Sequence, residues 1–380
     1  MKVLNVNTML DVVAGGGSAE RTFQLTRFLA RAGTECSVLT LDIGLTHERC
    51  AALEGASVTA LHCLQRRFYL FALPEPRIRE LVGWADIVHL MGHWTLLNAL
   101  VHRELMRQRK PYVVCPAGAL PIFGRSKTLK SIYNRMVGTR LVRGAGGWVA
   151  IGTNEFEHFG SYGVDRAQVR LIPNGVDPGD FPRTDPEAFR QRFGLPPAYV
   201  LFVGRLNRIK GPDLLLEAFA GIAAAMPDLH LVYAGPDGGM LTGLRADAAA
   251  AGLAGRVHFV GAVHGPDKVS AYRGSALLAV PSRQEAMSIV ALEAGACGTP
   301  VLITDQCGFD EVGASGGGLV TGASAAALRS GLEAMLSGST DLRDMGERLR
   351  RLTLEHYLWS TAASRYCALF EDVLAAWTGV

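Results

Sequence analysis

Two carboxylates eight positions apart, Glu285 and Glu293, interrupt a stretch that is otherwise small and apolar, PSRQEAMSIVALEAGACGTPV at residues 281–301. An ionised carboxylate offers acceptors only, so a pair of them suits the hydroxyls of a sugar. A second cluster lies in VLFVGRLNRIKGPDLLLEAFA, residues 200–220, where Arg205 and Lys210 flank a short polar loop after Gly204. Arg bridges two phosphate oxygens and Lys acts as a point charge, so two cations at a strand end suit a pyrophosphate. A third stretch, GGGSAER at residues 15–21, follows the first apolar run. Glycines between a strand and a helix let the backbone approach an anion at the free N–H groups of the helix start. Each feature also has a plainer reading: a helix-start Glu favoured by the dipole plus an exposed Glu, a solvated basic loop, a tight βα turn. Arg208 fits the solvated loop better than Arg205 does.

These residues need strands to carry them and helices to follow. Leu277–Val280 reads as a strand, Pro281–Gln284 as a turn, and a helix begins around Ala286–Ser288. Glu285 then sits in the loop at the helix mouth and Glu293 about two turns in, neither of them required to enter the core. Short apolar runs alternate with amphipathic stretches along the whole chain, the pattern of βα units around a parallel sheet. The expected strands are Val3–Asn7, Glu35–Leu39, Ile87–Leu90, Tyr112–Cys115 and Gly147–Ala150, then Tyr199–Val203, His230–Ala234, Val257–Phe259, Leu277–Val280 and Pro300–Ile303. With 380 residues the chain suits two domains. The turn-rich LIPNGVDPGDFP, residues 171–182, marks the boundary. A last helix at Thr361–Trp377 places Tyr366, Leu369, Phe370, Val373, Leu374 and Trp377 at helical spacing.

The composition excludes several classes. No run approaches the ~18 apolar residues of a membrane span, and Met1–Asn7 reads as a strand, not a signal peptide. Seven scattered cysteines without a C-x-x-C pair argue against a disulfide framework or structural zinc. His89 and His93 are four apart but lack an evident third ligand, so no metal is expected. The net charge of +3 hides an asymmetry: residues 1–175 hold 21 basic and 13 acidic side chains, the remainder 17 and 22. Between Leu105 and Asn154 there are nine Lys or Arg and no Asp or Glu. Six of the nine, Arg125, Lys127, Lys130, Arg135, Arg140 and Arg143, lie in GRSKTLKSIYNRMVGTRLVR with Leu129, Ile132, Tyr133, Met136 and Val137 among them. This is a basic amphipathic helix, either facing an anionic membrane or presenting a solvated basic face above a core-facing apolar stripe. LQRRFYLFALP, residues 64–74, adds Arg66 and Arg67 among aromatics. No nucleic-acid module is recognisable.

The E-x7-E arrangement of Glu285 and Glu293, preceded in chain order by IPNGVD, VGRLNRIKG, LVYAGPDGG and RVHFVGAV, resembles retaining glycosyltransferase family 4 of the bacterial surface-polysaccharide type. The resemblance is strong over residues 171–325 and weaker over the first half, through GGGSAER and DIVHLMGHW. It implies the GT-B fold: two Rossmann-like α/β domains facing across a cleft, with the C-terminal helix returning to the first. Residues 1–175 plus 361–380 would bind the acceptor and residues 176–360 the nucleotide sugar. Carried over residue by residue, Arg205 and Lys210 hold the pyrophosphate and stabilise the leaving nucleotide. Glu285 contacts the donor sugar and Glu293 the ribose. The backbone N–H groups of Met287 and Ser288 meet phosphate, Gly204 at the strand end binds the donor within the donor-phosphate segment, and Val263 lies near the base. Gly16 and Gly17 approach the donor from the other domain.

The implied reaction is metal-free transfer of a sugar from a UDP- or GDP-sugar to a hydroxyl of a growing lipid-linked oligosaccharide, with retention by front-side attack; Glu285 as a covalent nucleophile is the alternative. No cofactor is implied. The implied location is the inner face of the cytoplasmic membrane, met through Arg66, Arg67, Lys127, Lys130 and Arg135. One position departs from the family: VCPAGAL carries Ala117 where relatives often have a histidine facing the transferred sugar. His89 or His93 is the candidate replacement, and a structural histidine is the alternative for either. A soluble enzyme of the sucrose or glycogen synthase kind, and a silent nucleotide-binding scaffold, stay open.

Overall fold

The computed structural model describes residues 1–53, 55–73, 76–122 and 126–377, with the backbone alone of Ala14. Arg125 and Pro74, in the two stretches expected to face a membrane, lie outside them, as do residues 378–380 of the expected C-terminal segment. The chain divides into two compact units, Met1–Asn174 with Trp359–Val380, and Gly175–Leu358.

The first unit carries β1 (Lys2–Val6), β2 (Glu35–Leu41), β3 (Ser57–Leu61), a small hairpin of β4 (Cys63–Gln65) and β5 (Leu70–Phe71), β6 (Ile87–Met91), β7 (Tyr112–Cys115), β8 (Gly147–Ala150) and β9 (Val169–Leu171). Its sheet has the order β3-β2-β1-β6-β7-β8-β9 and every neighbouring pair is parallel. Strands covered on both faces read as continuous apolar runs, and β6, IVHLM, is buried throughout. The strand order reverses beside β1, the place where open α/β sheets bind ligands. The C-terminal helix, Trp359–Ala376, buries Trp359, Tyr366, Leu369, Phe370 and Val373 in this unit.

The second unit carries β10 (Tyr199–Val203), β11 (His230–Ala234), β12 (Val257–Gly261), β13 (Leu277–Val280), β14 (Val301–Thr304) and β15 (Gly318–Thr321). Its sheet is again parallel, in the order β12-β11-β10-β13-β14-β15. Here the order reverses between β10 and β13, the two strands whose ends carry Arg205 and Glu285. The helix Pro212–Ile222 covers one face through Leu215, Leu216, Phe219 and Ile222.

The GGGSAER segment differs from the expected turn. The chain is helical from Val12 to Arg31, broken inside by Gly16 at φ 62°, ψ −145°. Past the break, the Asn7 side chain, just beyond β1, donates to Ser18 O and Thr22 Oγ1 and ties the strand end to the helix.

Candidate functional site

In the second unit the loop after β10 is laced to its neighbours through backbone bonds. Gly204 N–H donates to Ala234 O, Leu206 N–H to Pro236 O and Gly238 N–H to Leu206 O. The packing is so close that a Cβ on Gly235 would stand 1.9 Å from Gly204 O, and one on Gly238 would stand 2.8 Å from Arg205 Cγ. The GPDGG motif therefore works as a brace for half-buried Arg205. Asp237 caps the helix Leu241–Ala250 by accepting from the N–H groups of Gly239, Met240 and Leu241. Those amides are spent.

Lys210 and Glu285 meet directly. Lys210 Nζ donates to Glu285 Oε1 at 2.5 Å, and Ser282 Oγ donates to the same oxygen at 2.5 Å. Behind them Gly211, at φ +69°, lies where a Cβ would be 2.0 Å from Pro281 O. Arg283 closes the joint: its guanidinium takes both oxygens of Asp213, at 2.8 and 2.7 Å, and the Arg208 carbonyl at 2.7 Å. Thus the loops leaving β10 and β13 form one rigid corner. Arg208 points its side chain outward, as its polar setting suggests, and reaches Asp213 only at 4.0 Å.

The helix after β13 begins at Ile289, slightly later than expected, and runs to Cys297. Ser288 N–H is already given to Cys307 O at 3.1 Å, so of the two amides expected to meet phosphate this one is occupied. The Ser288 hydroxyl is buried without a partner and makes no cap bond. The first-turn N–H groups of a helix have no acceptor within it, and here the Ser288 side chain does not cap them, which leaves an electropositive helix start beside Glu285. Met287 is buried next to it, and Val263 is buried just past β12.

Both carboxylate side chains are largely shielded from solvent, Glu285 in a half-buried residue and Glu293 in a buried one. The Glu285 and Glu293 side chains are only 8% and 9% exposed. Burial of a carboxylate demands partners. Glu285 has Lys210 and Ser282; Glu293 accepts from Lys268 Nζ and Tyr272 OH, each at 2.7 Å.

In the first unit the two candidate histidines part ways. His89 lies inside β6, Nδ1 against Asn5 Oδ1 at 3.0 Å and Nε2 against Tyr366 OH at 3.4 Å. Burial, with Arg21 adding to it, pushes its pKa down to about 3. Both nitrogens are engaged in the core. His93 stands past the strand end, after Gly92 at φ 73°. Its Nε2 meets Asn134 Oδ1 at 3.0 Å while Nδ1 is buried without a partner. Burial pushes it down to about 4. Trp94, Tyr133 and Tyr162 pack edge-on around its ring, and Lys130 Nζ lies 5.5 Å above the Trp94 ring.

Ala117 adopts φ 51°, rare for a residue with a side chain. The turn is held by Glu155, whose oxygens accept from Gly118 N–H at 2.6 Å and Ile151 N–H at 2.7 Å. Glu155 escaped sequence reading because a Glu at a helix start is ordinary. Beyond the other broken turn, a Cβ on Gly16 would meet nothing within 4 Å, so its strained backbone faces open space, with exposed Gly17 next to it.

The basic segment is one helix in three parts: Lys127–Tyr133, a π-turn at Asn134–Gly138, and Thr139–Arg143. Leu129, Ile132 and Met136 are 54%, 49% and 70% exposed, which rules out a core-facing stripe for these three. Lys127 and Arg135 are exposed beside them, and Lys130 is half-buried over Trp94. Arg66 and Arg67 are exposed at the β4–β5 turn with Leu64 and Phe68. Among the described residues no helix is long and apolar enough to cross a membrane, and no group of three or more His, Cys, Asp or Glu is placed to hold a metal.

Residues 15–180 match the family described as Glycosyltransferase Family 4, and residues 185–352 match Glycosyl transferases group 1. HepE of Anabaena, solved with UDP and glucose, superposes with a TM-score of 0.80 at 18% identity over 98% of this chain and 99% of that one. This is the GT-B fold of glycosyltransferases. A second GT-B neighbour, WaaG, described as a glycosyltransferase involved in lipopolysaccharide biosynthesis, gives 0.70 at 19% identity, covering both chains fully. A D-inositol 3-phosphate glycosyltransferase of Geodermatophilus obscurus is 36% identical over 237 residues, 57% of this GT-B chain and 48% of that protein. The chain spans about half the length of the curated relatives it matches first.

Proposed function

We propose that this protein transfers a sugar from a nucleotide sugar, with UDP the first candidate, to an acceptor hydroxyl with retention of configuration. The observation that carries the reading is the Lys210–Glu285 corner at the switch point of the second sheet, beside an uncapped helix start. In this reading Arg205 and Lys210 neutralise the diphosphate as it leaves, with the helix start from Ser288 adding positive potential without a metal. Glu285 orients the donor sugar. Its oxygen is held by Lys210 and Ser282, which supports attack from the front face over a covalent glycosyl-enzyme at Glu285. Glu293 takes the ribose, Met287 lies at the phosphate, Val263 lies near the base, and Gly204 belongs to the donor-phosphate loop. Gly16 and Gly17 are the first unit's candidates for donor binding, and His93 with its unpaired Nδ1 is the candidate for the role of the histidine missing at Ala117. UDP enters the reading from HepE, which was solved with it.

For the acceptor we propose a hydroxyl on a lipid-linked oligosaccharide at an anionic, cytoplasmic membrane face. The exposed Leu129, Ile132 and Met136 among Lys127, Lys130 and Arg135 support this, as does the β4–β5 turn with Arg66 and Arg67. A soluble phosphorylated polyol is the second reading, supported by the inositol 3-phosphate relatives. Calorimetric titration with UDP, GDP and ADP, without metal, tests the donor site. Binding of one nucleotide, lost in Arg205→Ala, is expected; no binding of any refutes the donor reading. Transfer to a soluble inositol phosphate with indifference to vesicles refutes the lipid-linked acceptor.

A further inference from the structure

Glu293 is gripped from one side only. Lys268 and Tyr272 lie four residues apart on the helix Gly265–Gly274, so both project from the same face. Lys268 gives its ammonium to Oε1 and Tyr272 gives its hydroxyl to Oε2. Burial, and after it the neighbouring Glu293, raises the Tyr272 pKa well above its usual value, so the hydroxyl is a standing donor. The helix beneath is fixed too: a Cβ on Gly295 would stand 2.2 Å from Thr353 Oγ1, so Ile289–Cys297 lies hard against Leu342–His356. With one donor on each oxygen, the carboxylate plane is set and each oxygen keeps a second lone pair. Two acceptors in a fixed plane match two adjacent hydroxyls.

We propose that Lys268 and Tyr272 are positioning residues that set the Glu293 carboxylate to read a vicinal diol, making the site selective for the ribose form of its nucleotide over the 2′- or 3′-deoxy form. This rests on the donor reading given above. A pair that only tethered two helices would need one bond; the second donor, on the other oxygen, fixes rotation. Releasing either donor lets the carboxylate turn and removes the alignment with a diol, while the nucleotide keeps its phosphate contacts. Selectivity then falls further than affinity.

The test is calorimetric titration of the full chain with the nucleotide it binds and with its 2′- and 3′-deoxy forms. Wild type is expected to prefer the ribose form by about tenfold to a hundredfold, the range of a hydrogen bond to a charged group. Lys268→Met and Tyr272→Phe should compress that preference to about threefold or less, and Lys268→Arg should restore most of it. An unchanged preference in folded Lys268→Met and Tyr272→Phe overturns the inference and leaves the donor site standing. If Lys268→Met does not fold, Tyr272→Phe decides on the same ratio. Wild type that binds UDP, GDP and ADP alike to no measurable extent refutes the donor reading, and this inference with it.

Discussion

Replacing Arg66, Lys127 and Arg135 together by Gln is the sharpest test of the proposed membrane face. All three are exposed, Arg66 at the β4–β5 turn and the others on the helical segment 127–143, so the changes should leave folding within about 0.5 kcal/mol. Each Lys or Arg close to an anionic surface is worth ~1 kcal/mol. Three such charges amount to ~3 kcal/mol, or about a hundredfold in partition coefficient, since 1.4 kcal/mol is about tenfold. Met136→Asp probes the apolar part independently: at 70% exposure the side chain has little packing to lose, but burying a methionine at the interface is worth ~1.5–3 kcal/mol. Co-sedimentation with phosphatidylserine-containing vesicles, against phosphatidylcholine controls, measures both. The charge component should shrink between ~0.1 and ~1 M salt as the screening length falls from ~10 to ~3 Å; the apolar component should survive. Wild type that ignores anionic vesicles, or a triple variant that loses less than threefold, would refute the reasoning.

Other expectations can be checked directly. Gly211→Ala combines φ +69° with a Cβ 2.0 Å from Pro281 O and should cost more than ~3 kcal/mol in urea unfolding. Gly194→Ala, at φ +61° with nothing near its Cβ, should cost only ~1 kcal/mol, so their difference isolates the close approach. Arg283→Lys keeps the charge but loses the two-oxygen grip on Asp213; about 1.5 kcal/mol of stability should go, along with part of the nucleotide affinity. Acid should weaken the first unit through His89 and His93. The unfolded chain protonates both below ~6.5, whereas burial holds them neutral down to about 3 and about 4 in the fold. The unfolded state then binds more protons, so stability falls as pH drops from ~6.5, by up to ~1.4 kcal/mol per unit for each ring. His93→Gln should make the dependence of stability on pH shallower between pH 6.5 and 5.

The parallel sheets were legible because buried strands are unbroken apolar runs, as in VLFV and LLAV ending at Val203 and Val280. Three of the missed strands, SVTAL, VRL and GLVT, stand at the edges of the two large sheets, where half-burial permits polar residues and short length hides the period; the other two, CLQ and LF, are the short strands of the hairpin. The helix between Lys127 and Arg143 was legible as amphipathic, but periodicity alone does not say which face meets the core. The π-turn inserts its own offset as well. The spacing of Glu285 and Glu293 pointed to a site, yet their burial was not readable. The donors that make it tolerable stand 75 residues away for Lys210 and 25 and 21 away for Lys268 and Tyr272. Long-range pairing of that kind leaves no local trace.

Arg21 shows what such pairing means for how the chain is made. Fully buried, it donates to the carbonyls of Ile172 and Pro173, the side chain of Asn174 and the hydroxyl of Tyr366. The last partner is 345 residues downstream. A ribosome delivers Gly175–Leu358 in full before it delivers Tyr366, so the second unit can close while the first still waits with a buried-to-be cation and the seat of Trp359 and Phe370 open. The domain that starts first is finished last, and its apolar seat stays open until the final helix emerges.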